Sequence, residues 1–364
     1  MRIREGSYLD FQDVLLVPQR SSLDTRAAVD LDRTFNFRYG QKLICCPVIA
    51  ANLDTVGTFA MAKALAKHKM LTTLNKHYSV EQLVDFFKDN EDIWNYVFYT
   101  LGTSDDDLSK LLEVAEQLKC YIPTNFPRML CLDAANGYTG TFAKGLKRLR
   151  ELWPTVIIMA GNVATGNMTE ELLLLGADIV KVGIGSGALC ETRIKTGVGV
   201  PQLTATDLCA YQAHGLNGYV CSDGGITCVG DICKAFAAGA DFVMAGGLFG
   251  GTDECEGEWT TKFTMEDVNI STTHFKEIKF LKIHGMSSKA AMDKYNGGVA
   301  SHRTSEGREV EVAYKGPVSD LVQDIKGGLA SCCTYIGCLK IKDMPKCAEF
   351  IKVRRQFNDS LMHK

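Results

Sequence analysis

Cys190 is the residue of this chain best placed by its neighbours to attack a substrate. It follows an apolar run, 179–184, and three alternating glycines, Gly183, Gly185 and Gly187, with Thr192 and Arg193 beside it. A glycine-rich loop at the end of a strand exposes a side chain and surrounds it with backbone N–H groups. A thiol becomes reactive where such groups, or a guanidinium like that of Arg193, lower its pKa. Three readings are open from these residues alone: nucleophile, redox centre or ordinary loop thiol. The carbonyls of Gly185, Gly187 and Cys190 could also face a monovalent cation.

A second set of residues suits a nucleotide. Asp223-Gly224-Gly225 and Gly246-Gly247 each close an apolar run. Glycine N–H groups at such ends cradle phosphate, and a carboxylate beside them can accept both hydroxyls of a ribose. Together they describe a nucleoside monophosphate held at both ends. Glu306, in Ser305-Glu306-Gly307, is either a solvated acid or, in a closing flap, a proton donor. Lys76 and His77 follow another run and could meet a phosphate or nicotinamide.

The elements that must position these groups alternate. Apolar runs at 47–51, 71–75, 96–101, 129–134, 156–161, 179–184, 218–222 and 242–246 read as eight strands, several apolar on both faces. Helical spacing separates them at 59–67, 80–87, 108–118, 142–152, 169–175, 206–214 and 230–238. This pattern predicts a closed (β/α)8 barrel, an α/β fold whose active site lies at the C-terminal ends of its strands. Seven glycine-, acid- or amide-bearing strand ends (Asn52/Asp54, Gly102/Thr103, Asp133/Asn136, Gly161/Asn162, Gly183, Asp223, Gly246), with Lys76/His77, are expected to converge on one mouth. The remainder reads as an N-terminal arm over 1–45, a Thr-rich insertion over 254–281 forming a loop or hairpin near the mouth, a Gly-rich flap over 297–316 and a tail over 340–364. The expectation is one barrel domain spanning 1–364.

With 46% hydrophobic and 23% charged residues, a net charge of −3 and no long basic run, the composition argues against a nucleic-acid or membrane surface. The first residues lack a signal-peptide core, and no apolar run reaches the length of about 18 needed for a membrane span. Fourteen cysteines, with adjacent pairs at Cys45-Cys46 and Cys332-Cys333, read as reduced thiols of a cytoplasmic protein. Cys228 and Cys233 have no second pair to complete a zinc site.

The ordered motifs carry a resemblance. Asp10-Phe11-Gln12-Asp13-Val14-Leu15, Ala51-Asn52-Leu53-Asp54-Thr55-Val56, Asn75-Lys76-His77-Tyr78-Ser79, the stretches 181–192 and 222–225, Gly285-Met286-Ser287-Ser288, Glu306 and Cys333-Thr334-Tyr335-Ile336-Gly337 are similar to the inosine-monophosphate dehydrogenase/GMP reductase family. Thr192-Arg193-Ile194-Lys195-Thr196-Gly197-Val198-Gly199, Arg303 and the absence of a CBS-type regulatory insertion resemble its reductase branch. Ser186 resembles the dehydrogenases. Glu191, Val200 and His302 depart from the usual reductase residues.

This resemblance implies reductive deamination of GMP to IMP and ammonia with NADPH, an activity of purine salvage. Cys190 would attack purine C2, with Thr192 relaying a proton from Glu306. Asp223, Gly224, Gly225, Gly246, Gly247, Met286, Ser287, Arg303, Ser305 and Gly307 would bind GMP. For NADPH the resemblance points to Lys76, Asp133, Ala134, Ala135, Gly183, Ile184, Gly185, His302, Arg303, Ser331 and Thr334, with Thr25 and Arg26 from an adjacent subunit of a homotetramer. It also implies a K+ site at Gly185, Gly187, Cys190 and Arg193. The alternative is oxidation of IMP to XMP with NAD, for which no arginine-tyrosine dyad is evident.

Overall fold

Eight strands pair in parallel and in chain order: Val48–Ala50, Leu71–Thr73, Val97–Leu101, Met129–Asp133, Ile157–Val163, Ile179–Val182, Tyr219–Asp223 and Phe242–Ala245, the last closing on the first. The computed structural model describes residues 3–121, 126–269, 272–301 and 304–354. Each strand falls within or beside one of the eight apolar runs, and the architecture is a (β/α)8 barrel. Most strand residues are buried because both faces are covered, one by the barrel interior and one by helices.

Two cores follow from that layering. Ile49, Leu71, Phe98, Met129, Met159, Ile179, Cys221 and Met244 fill the barrel interior. A short hairpin, Arg33–Asn36 with Lys42–Cys45, adds Phe35 and Leu43 to this core, and Phe35 stacks on Phe242 at 4.2 Å. The hairpin, part of the N-terminal arm, is an element the strand pattern did not announce. The larger core lies between the strands and the surrounding helices.

The helices start where capping chemistry says they should. Ser79 and Gln82 form a reciprocal capping box on helix Val80–Asp89. Ser104 accepts the Asp107 N–H, so the next helix, Asp105–Lys119, begins directly after the cap rather than at Leu108, with three acids in its first turn. Helix Val318–Tyr335 covers the last barrel strand, and the sequence reading omits it. Its Gly327-Gly328 pair weakens the helical signal. Gly328 is there for packing: a Cβ would lie 2.4 Å from Val229 Cγ1 of helix Val229–Ala237.

The Thr-rich insertion is an antiparallel hairpin, Trp259–Asn269 with Thr272–His284, extended by a third strand, Glu309–Ala313. This small sheet joins the last barrel strand to the loops of the mouth. The N-terminal arm and the chain's last described residues also meet, Val14–Leu16 pairing antiparallel with Phe350–Lys352. Among the described residues, no helix is long and apolar enough to cross a membrane.

Candidate active site

The loop after the sixth barrel strand delivers Cys190 to a cavity at the mouth, where three loops are laced by backbone hydrogen bonds. Glu191 N–H donates to Glu306 O (2.6 Å), Arg308 N–H to Leu189 O (3.0 Å) and Glu306 N–H to Ser287 O (3.0 Å). Cys190 also bridges to Gly307, and so does Ser288. This lacing sets the side chains in line. The Cys190 thiol lies 3.2 Å from Thr192 Oγ1, whose hydroxyl donates to Glu306 Oε2 at 2.8 Å. Thiol, hydroxyl and carboxylate thus form one continuous path although Glu306 is 114 residues further along the chain than Thr192.

Arg193 does not serve the thiol. Its guanidinium bonds Asp10 (2.9 Å) and the Val200 carbonyl (2.9 Å), and its stem passes beneath Gly185, where a Cβ would sit 2.5 Å from Arg193 Cγ. It buttresses the loop. Proximity in sequence suggests that Arg193 could supply positive charge to the thiol, but its guanidinium is committed to Asp10.

Asp223-Gly224-Gly225 forms the opposite wall. Gly224 and Gly225 adopt φ +93° and +77°, a backbone that other residues rarely take, and Ser186 Oγ ties this turn to the cysteine loop by donating to Asp223 O (3.0 Å). Beneath it lies Lys181, which the sequence reading passed over as a site residue. Its ammonium contacts Asp133 (2.6 Å) and Asp223 (3.0 Å) and is 3% exposed, so removing it would leave two carboxylates facing each other. Desolvation pulls the Lys181 pKa down, but the two carboxylates outweigh it and hold it well above the ordinary lysine value. Burial would raise Asp133, yet Lys181 and a hydrogen bond from Asn52 keep it below the usual carboxylate range. Asn162 adds a further bond to Asp223 Oδ2 (2.9 Å). A lone lysine inside the apolar run Ile179-Val180-Lys181-Val182 was the signal available for this centre.

Most of the candidate residues line this cavity: Cys190, Thr192 and Glu306; Asp223, Gly224, Gly225, Gly246 and Gly247; Met286, Ser287 and Gly307; and Asp133, Ala134, Ala135, Gly183, Ile184, Gly185 and Gly187. Ser305 stands just outside, its hydroxyl donating to Gly307 O (3.0 Å). Arg303 and His302 lie outside the described residues. A second cavity shares Ala135, Ile184, Thr192 and Glu306 with the first and continues past Asn136, Tyr138, Thr165, Val198 and Val200.

Other candidates fall elsewhere. Lys76 lies 3.7 Å from Asp107, and of the strand ends expected at the mouth, those carrying Lys76/His77 and Gly102/Thr103 do not line the cavity. Thr25 caps the short turn Arg26–Ala28, which packs on the helix bearing Ser331 and Thr334. Within one chain none of these four residues lines either cavity. For a monovalent cation, the Gly187 and Arg193 carbonyls accept the Cys190 and Gly197 N–H groups (2.9 and 3.1 Å), which leaves each oxygen one further lone pair.

Beside the mouth, Asp54 anchors the segment leading to the flap. It accepts bonds from Lys294 (2.9 Å) and Tyr295 (2.7 Å), and His284 Nε2 lies 3.2 Å away. Tyr295 stacks on His77 at 3.4 Å, and burial together with Lys76 pushes the His77 pKa down to about 4. Burial would raise the Asp54 carboxyl, but His284, Tyr295 and Lys294 hold it far below the usual range. A depressed folded-state pKa stabilises the fold at pH above the unfolded value of about 3.9 and is lost as pH falls below it. Asp54→Asn is therefore expected to flatten the acid limb of a thermal-melt series between about pH 5 and 3. An acid limb identical to that of the parent chain would assign the effect to other carboxylates.

Fold and site together define a barrel enzyme with a thiol set beside a hydroxyl and a carboxylate. The chain belongs to the IMP dehydrogenase/GMP reductase family, whose domain model matches residues 101–363. It is 47% identical to the GMP reductase of Aeromonas hydrophila over 361 residues, covering 99% of both chains. It is also 47% identical to human GMP reductase 1 (98% of both chains) and 48% identical to the GMP reductase of Onchocerca volvulus (96% of this chain, 92% of the relative).

Proposed function

We propose that this chain reduces GMP to IMP and ammonia at the expense of NADPH, with Cys190 as covalent nucleophile. The observation that carries the reading is the unbroken path from the Cys190 thiol through Thr192 to Glu306, at 3.2 and 2.8 Å, in the first cavity, with Thr192 and Glu306 shared by the second. Near-full-length likeness to GMP reductases supports the choice of substrate.

The ribose hydroxyls of GMP meet Asp223, whose Oδ2 is held by Lys181 and Asn162. The phosphate meets the N–H groups of Gly225, Gly246 and Gly247, and the base lies over Met286 and Ser287. Gly183 permits this geometry: a Cβ there would sit 2.0 Å from Asp223 O. The Cys190 thiolate adds to C2, the carbon between two ring nitrogens. The exocyclic amine is a poor leaving group until protonated, and Thr192 hands it the proton drawn from Glu306. Ammonia departs and a thioimidate remains on Cys190. The thiolate is then expelled as C2 is reduced, giving IMP. Covalent attachment divides one difficult substitution into two accessible steps.

Ala135, Ile184, Thr192 and Glu306, which line both cavities, would hold the nicotinamide end of NADPH, and the cofactor would supply the hydride there. Tyr138 and Val198, both well exposed, offer an apolar wall. Thr25, Arg26, Ser331 and Thr334 do not line the second cavity, which suits a cofactor spanning two subunits of a tetramer. Arg26 would then pair with the 2′-phosphate.

The direction of the reaction is checked by absorbance at 340 nm. GMP with NADPH should give a falling signal and stoichiometric ammonia. A rising signal with IMP and NAD, and none with the first pair, would make the chain a dehydrogenase.

A further inference from the structure

Six of the fourteen cysteines gather outside the mouth: Cys228, Cys233, Cys332, Cys333, Cys338 and Cys347, none of which lines the cavity. They lie where helix Val229–Ala237 meets helix Val318–Tyr335 and the turn Met344–Cys347. The two long helices approach closely, Gly328 having no room for a Cβ against Val229. One turn beyond Val229, Cys233 directs its Sγ to the Gly328 carbonyl at 3.9 Å. One turn beyond Gly328 on the same helix stands Cys332, so the carbonyl that Cys233 faces points along the helix toward Cys332. Helix backbones this close bring paired cysteines within reach of an S–S bond.

We propose that Cys332 and Cys233 form a reversible thiol–disulfide site that reacts with hydroperoxides, Cys332 as the attacking thiol and Cys233 as its resolving partner. Exposure separates the two roles. Cys332 is half-buried and open to a small oxidant, whereas Cys233 is 5% exposed. The neighbouring Cys233 lowers the Cys332 pKa against the opposing effect of burial, which favours the thiolate form. A neighbouring pair is excluded by burial. Cys333 and Cys338 meet through a Schellman turn, with Gly337 at φ +69° and Cys338 N–H donating to Cys333 O at 2.8 Å, but they are 0% and 1% exposed.

The chemistry balances with one equivalent of hydrogen peroxide. The Cys332 thiolate attacks one peroxide oxygen, the O–O bond breaks, and the leaving hydroxide takes a proton to become water. Cys233 sulfur then attacks the Cys332 sulfenic acid, the S–O bond breaks, and a second water leaves. Two thiols are oxidised to one disulfide while the peroxide is reduced to two waters. An external dithiol reverses the step by exchange. The disulfide would staple the helix that carries Ser331 and Thr334 to the helix that follows the Asp223 turn.

The test uses the full chain carrying Cys190→Ala, so that the thiol at the mouth does not consume oxidant. After one equivalent of hydrogen peroxide, alkylation with N-ethylmaleimide and digestion, a peptide joining Cys233 to Cys332 should appear, two hydrogens lighter than its parts. Alkylation of Cys332 should fall about tenfold and return with dithiothreitol. In Cys233→Ser the joined peptide should vanish and Cys332 should take up dimedone as a sulfenic acid. In Cys332→Ser, Cys233 should stay fully alkylated after peroxide. Unchanged alkylation of Cys332 in the parent, or equal loss of Cys233 labelling in Cys332→Ser, overturns the assignment. Because the readout is peptide mass, its failure is separate from any failure of the proposed reductase activity.

Discussion

Cys190→Ala is expected to lower turnover of GMP by about four orders of magnitude or more while leaving GMP binding measurable. The size of the loss follows from the chemistry. Without the thiolate the proposed covalent route through C2 is closed, so the amine must be displaced with no thioimidate to share the barrier. The binding elements survive because they do not depend on sulfur. Asp223 keeps its bonds to Lys181 and Asn162, and Gly224 and Gly225 keep the turn that carries them. Calorimetric titration with GMP and a single-turnover assay measure the two quantities separately. Retained turnover with lost binding would reverse the assignment and make Cys190 a positioning residue.

How well the chain announces this site depends on what sort of signal each part leaves. The barrel was legible because strands buried on both faces must be continuously apolar, and all eight runs became barrel strands. The loop bearing Cys190 stood out because three alternating glycines, Gly183, Gly185 and Gly187, break such a run abruptly. Helix Val318–Tyr335 was not, since Gly327 and Gly328 both lower helical propensity, and Gly328 is needed for close packing on Val229. Lys181 was hidden for the opposite reason. It occupies a strand position that reads as core, and only the carboxylates of Asp133 and Asp223, contributed by two other strands, make a buried ammonium stable there. Arg193 was misassigned because sequence proximity to Cys190 says nothing about Asp10, its partner 183 residues away. Local pattern reveals elements; long-range charge pairing appears only once the barrel closes.

Glu306→Gln tests the part of the site that the fold, not the sequence, puts together. The substitution preserves size and the ability to accept the Thr192 hydrogen bond, but the amide cannot supply the proton that ammonia needs. Release of ammonia from GMP should fall by about 10²–10⁴-fold, the range for loss of a general acid. Reduction of a preformed thioimidate should suffer much less, because that step expels a thiolate and needs no proton from Glu306. Running the reaction backwards isolates the second step: IMP and NADP+ should still give rapid hydride transfer in the variant, read at 340 nm as a burst. Equal loss in both partial reactions would mean that Glu306 acts by holding the flap through its backbone bonds to Glu191 and Ser287. The variant leaves those bonds in place. A selective loss therefore separates proton supply from loop closure, and assigns to the 2.8 Å contact between Thr192 and Glu306 the task of making ammonia a leaving group.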